Sequence, residues 1–82
     1  MDRRIKATKR DRQGNVVALC NPGERWSPVS MDTVLREIKS ARRSYYVQEL
    51  PQKAYLRATA ENKLLTTSDS ASKNNLNNLP TI

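Results

Sequence analysis

Apolar residues at Met31, Val34, Leu35, Ile38 and Ala41 recur at steps of three and four, the spacing that lines one face of an α-helix. Arg36, Glu37, Lys39 and Ser40 fall between them on the polar side. Ser30 is suited to an N-cap, and Asp32 sets a negative charge near the positive end of the helix dipole. Lys39, Arg42 and Arg43 crowd the opposite end, where cations are favoured. Segment 27–41 is therefore predicted to hold the main helix, and its apolar stripe needs a surface to cover.

The flanking runs supply that surface as strands. Ile5 and Ala7 alternate with Arg4, Lys6, Thr8 and Arg10, an apolar-in, polar-out pattern. Residues 16–20 are apolar throughout and read as a more central strand, in which either Val16, Ala18 and Cys20 or Val17 and Leu19 face the helix. Gly14 and Asn15 between the two runs tolerate positive φ, which predicts a hairpin. Asn21, Pro22, Gly23 and Glu24 form a second turn signal. Trp26 then lies either across the first helical turn as a lid on the core or, beside Arg25, as a stacking platform.

Beyond the helix, residues 43–49 are rich in aromatic and β-branched side chains, and Pro51 breaks the run. Ala54, Leu56 and Ala58 alternate with Tyr55, Arg57 and Thr59, and residues 63–67 give a last strand. The expected fold is α+β: an antiparallel twisted sheet of four to five strands in ββαβββ order, with the helix packed on one face. From Thr66 the composition turns to Thr, Ser, Asp, Lys and Asn, as in a disordered tail. Leu76 and Leu79 nevertheless sit three apart ahead of Pro80, so one helical turn can dock both. One domain over residues 1–82 is expected, with a core at 1–67 and a polar C-terminal segment at 68–82 tied down through these leucines.

Composition adds two constraints. With 37% hydrophobic residues, no Phe and one Trp, the core must be thin. No apolar run approaches the roughly 20 residues that cross a bilayer, no secretory signal follows the basic N-terminus, and the lone Cys20 has no internal disulfide partner. A cytoplasmic protein without a membrane association is the expectation. Fifteen basic residues against eight acidic give a net charge of +7. Within the first twelve residues six basic side chains face two acidic ones, a local +4. An anionic partner such as nucleic acid is one reading of this balance; an ordinary solvated face is the other.

Ala18 to Gly23, Trp26 to Pro28, the helix, Tyr45 to Val47, Asn74 to Leu76 and Leu79 with Pro80 together resemble a small bacterial family of unknown function, family 3892. The resemblance covers most of the chain and rests on turns, strand residues and a tail signature. It implies a compact single domain that includes the C-terminal segment, and it brings no activity with it. The family tends to carry glycine near the third strand's connection, where this chain has Glu49, Leu50, Pro51, Gln52 and Lys53.

Catalytic chemistry finds little footing. The chain has no histidine, the commonest general base and zinc ligand. Cys20 lies in an apolar run and reads as a small buried hydrophobe. The carboxylates are scattered, and two glycines make no phosphate-cradling loop. A non-enzymatic binding domain without metal or cofactor is expected. Its site is predicted on the sheet face opposite the helix, where Arg4, Lys6 and Arg10 from the first strand would join Tyr55 and Arg57 from the fourth, with one of Tyr45 and Tyr46. Basic side chains interleaved with tyrosine suit phosphates and stacked bases. A protein-interaction or assembly role for the same face, including a homodimer, is the alternative.

Overall fold

The computed structural model describes residues 2–68 and 71–82. In chain order it contains β1 (Asp2–Arg4), β2 (Ala7–Arg10), β3 (Val16–Cys20), β4 (Val29–Ser30), α1 (Met31–Lys39), β5 (Ser44–Val47), β6 (Ala54–Ala58), β7 (Leu64–Thr66) and a 3-10 turn at Leu76–Asn78. The α+β class, the main helix and the C-terminal helical turn match the sequence pattern. The strands, however, form two sheets rather than one: a four-stranded sheet ordered β1-β5-β6-β7 and a three-stranded sheet ordered β2-β3-β4. Among these described strands only β1 and β5 pair in parallel; the other neighbouring strands are antiparallel.

The division arises inside what reads as one strand. The Ile5 N–H donates to Tyr46 O at 2.8 Å, whereas the next amide, that of Lys6, donates to Cys20 O at 2.9 Å. Consecutive residues thus serve different sheets, and fully buried Ile5 sits at the crossing. Alternation does not survive the step. Ala7 and Thr8 are both buried, so Thr8, expected on the polar face, lies inside. A second parity change explains why periodicity left β3 open. Lys9 pairs with Ala18 and Arg10 with Val16, which leaves Val17 as the extra residue of a β-bulge. Leu19 and Val16 therefore both reach the core, while Val17 is exposed.

Helix α1 begins one residue after Ser30, whose Oγ accepts from the Thr33 N–H at 3.3 Å. Val34 is fully buried, with Met31 and Ile38 packed against the core. The helix ends sooner than the stripe suggests. Ala41 N–H donates to Ile38 O and Arg42 N–H to Glu37 O, the paired bonds of a Schellman cap. Ala41 takes the left-handed position of that cap at φ 58°, where glycine is usual, and is exposed rather than part of the apolar face.

The C-terminal segment is structural. Leu76 and Leu79 join Ile5, Leu19, Val29, Val34, Tyr45, Val47 and Leu56 in one core cluster. Thr8 N–H donates to Pro80 O and Ile82 N–H to Thr8 O, both at 2.9 Å, adding a short parallel bridge beside β2. Buried Asn74 braces the β5–β6 connection. Its Oδ1 accepts from the amides of Glu49 and Leu50, and its Nδ2 donates to Gln52 O. No helix among the described residues is long and apolar enough to cross a membrane.

Candidate functional site

The outer face of the four-stranded sheet carries the most promising surface. Register aligns Arg4 on β1 with Tyr46 on β5 and Tyr46 with Tyr55 on β6, so the three side chains form a row across the strands. Along β6, Ala54 and Leu56 are buried while Tyr55 and Arg57 are exposed, the alternation read from the sequence. Arg57 stands opposite Leu65 of β7. Tyr55 keeps 37% of its surface exposed and Leu65 keeps 49%.

The two tyrosine rings lie 5.8 Å apart between centroids, tilted by 48°. Lys53, just ahead of β6, places its ammonium 4.6 Å from the Tyr46 ring centroid, a cation–π contact. The Tyr55 hydroxyl donates to Asp2 Oδ2 at 2.9 Å, fixing the ring against β1. That bond to the carboxylate, more than burial, holds the Tyr55 phenol above its ordinary pKa. Arg4 is half-committed: it donates to Gln48 O at 2.7 Å and lies 3.5 Å from Glu49 Oε2. Lys53 and Arg57 are the exposed cations flanking the rings.

Arg4, Tyr55 and Arg57 thus share a face, as expected. Lys6 and Arg10 do not. Lys6 is in the link between the sheets, and Arg10 ends β2, in the other sheet, where its guanidinium donates to Gly14 O and Asn77 O. The break at Ile5 separates them from Arg4. Lys53 is the residue missed by sequence reading. It follows Pro51 in what reads as a strand breaker, and only the β5–β6 pairing carries it over Tyr46. Of the two adjacent tyrosines, Tyr46 faces out and Tyr45 is buried.

Tyr45 anchors a second polar cluster, on the inner side. Its hydroxyl donates to Glu37 Oε1 at 2.6 Å and accepts from Arg3 at 3.2 Å, while Arg43 Nε lies 2.5 Å from Glu37 Oε2. The Arg3 guanidinium is 5.0 Å from the Trp26 ring centroid. Trp26, edge-on to Tyr45 at 6.4 Å, is packed against the core as a lid; the cation on it is Arg3, not Arg25. Burial, followed by the bond to Glu37, pushes the Tyr45 phenol up to about 12. Burial also works to raise the Glu37 carboxyl, but Tyr45 and Arg43 together outweigh it and hold the group below its usual range. Tyr45, Arg43 and Arg3 converge on Glu37, whose side chain is only 15% exposed, and this arrangement ties α1 to β1 and β5, although Arg3 Nε is left buried without a hydrogen-bond partner among the described residues. The cluster is a structural clamp.

Elsewhere, Asp11 Oδ1 accepts from the amides of Gln13 and Asn15, so the hairpin uses the carboxylate itself. Cys20 is buried. Among the described residues no group of three or more Cys, Asp or Glu side chains is arranged to hold a metal ion. Comparison with family models, with curated proteins and with solved structures finds no match.

Proposed function

We propose that this protein binds single-stranded nucleic acid with little sequence preference through the outer face of its four-stranded sheet. The observation that carries the reading is an exposed aromatic ring, Tyr55, flanked by Lys53 and Arg57. An unpaired base stacks on a tyrosine face regardless of its identity, and cations on either side accept the adjoining phosphates. The net charge of +7 adds long-range attraction for a polyanion. Nothing in this role calls for catalysis, a metal or a cofactor.

Fluorescence anisotropy of a labelled decanucleotide tests it. Two phosphate contacts should weaken binding roughly sevenfold between about 50 and 200 mM salt, at about 0.7 in logarithmic slope per contact. Tyr55→Ala should cost about 1–3 kcal/mol of binding free energy. An affinity indifferent to both salt and Tyr55 would rule the reading out.

The exposed Leu65 on the same face favours a second reading, a protein-interaction or assembly module. Sedimentation across a concentration series separates the two. A dimer that Leu65→Asp dissociates, with no oligonucleotide binding, belongs to the second reading alone.

A further inference from the structure

A groove opens where the two sheets approach one another beyond the β6–β7 edge. It comprises two cavities of about 380 and 270 Å³ that share Leu64, Leu76 and Asn77 in their walls. The larger is floored by Val16, Met31, Leu64 and Leu76 and edged by the amides of Asn15, Asn62 and Asn77. Arg10 and Lys63 line the same cavity, and Arg57 lines the smaller one. Among the described residues no carboxylate lines either.

Arg10 is held in place. It donates to Gly14 O at 2.7 Å and to Asn77 O at 3.3 Å, so two carbonyls orient the guanidinium without neutralising it. Lys39, bonded to Asn62 Oδ1, brings another positive charge to the rim. An apolar floor, an amide edge and uncompensated cations together suit a flat heteroaromatic ring attached to a phosphate. Arg57 joins this groove to the sheet face: it follows Tyr55 by two residues on the same side of β6, a step of about 7 Å.

We infer that the groove is a second nucleotide subsite, in which a strand stacked on Tyr55 passes Arg57 and, several nucleotides further on, places an unpaired base against the half-buried Leu64 and Met31, with its phosphate against Arg10 and Lys63. The inference rests on the proposed nucleic-acid reading and extends it to a stated path. The path requires an unpaired strand, because a base held in a duplex cannot enter the groove. It also gives Arg10 a role in binding that the sheet face does not.

The test uses the full chain with labelled oligothymidines, a trinucleotide short enough for the Tyr55 platform and a decanucleotide long enough to continue. Lys63→Glu should weaken the decanucleotide roughly three- to tenfold and leave the trinucleotide unchanged. Arg10→Lys keeps the charge but loses the two-carbonyl fork, and should weaken the longer probe in the same selective way. Thermal melts of both variants verify the fold, and methyl shifts of Leu64, Leu76 and Met31 on adding the decanucleotide give a readout independent of either substitution. If both probes bind and neither variant nor these methyls respond, the groove is not a subsite, and the platform reading stands. If neither probe binds, both fall.

Discussion

Leu76→Ala should lower the unfolding free energy by about 2–4 kcal/mol, the range for truncating a buried leucine where the surroundings relax only partly. Leu76 is 4% exposed and packs in the same cluster as Ile5, Leu19 and Val34, although it belongs to a segment in which Asn and Ser are the commonest residues. In a domain this small the loss is a large share of the total. A 1 kcal/mol change displaces the melting temperature by about 4–8 °C, so a drop of at least 8 °C is expected. Leu65→Ala, on the exposed face, provides the control and should change stability by less than about 0.5 kcal/mol. A Leu76→Ala loss as small as about 0.5 kcal/mol would mean that the C-terminal segment contributes nothing to the core. The same measurement bears on the backbone bridge at Thr8, since a segment freed from the core would not hold Pro80 and Ile82 beside β2.

The second large effect concerns the Glu37 clamp and its pH dependence. Tyr45→Phe removes the hydroxyl that donates to Glu37 and accepts from Arg3, and should cost about 1.5–3 kcal/mol near neutrality, as for hydrogen bonds to charged groups. The signs at the two ends of the pH scale differ. The folded Tyr45 phenol is raised to about 12, so its contribution is fully present below the unfolded value near 10 and is lost as pH climbs from about 10 to 12. The folded Glu37 carboxyl is lowered, so its contribution is present above the ordinary carboxylate range and is lost as pH falls through the folded value. Denaturant midpoints across pH should show the stability gap between the parent protein and Tyr45→Phe closing above about pH 10. The gap to Glu37→Gln should close in acid instead. A gap to Tyr45→Phe that stays constant through the alkaline limb would show that the hydroxyl does not carry the clamp.

How much of this was legible in the sequence depended on where local rules were allowed to act. Helix α1 was readable because Ser30, the stripe from Met31 to Ile38 and the basic last turn agree with one another. Its end is not readable in the same way, because an alanine in the left-handed cap position, Ala41, continues the apolar spacing on paper while turning the chain in space. The alternation of β6 was plain, and so Tyr55 and Arg57 were placed on the right face. The two-sheet division was hidden, because a change of pairing partner between Ile5 and Lys6 leaves no mark in residue type. That single step removed Lys6 and Arg10 from the predicted site and buried Thr8. The bulge at Val17 hid the inward face of β3 in the same way. Lys53 and Asn74 lay in stretches whose composition speaks only of turns; their roles come from partners distant in sequence, Tyr46 for one and the β5–β6 connection for the other.

Whether the exposed face of the four-stranded sheet meets an unpaired strand is decided by a titration of the isotope-labelled chain with a trinucleotide, followed by amide and ring chemical shifts. The prediction is a set of progressive shifts confined to Lys53, Tyr55, Arg57, Leu65 and the Tyr46 ring, diminishing as salt is added. Shifts centred instead on the β2–β3 hairpin around Lys9 and Arg12, or no shifts at low salt, would contradict it.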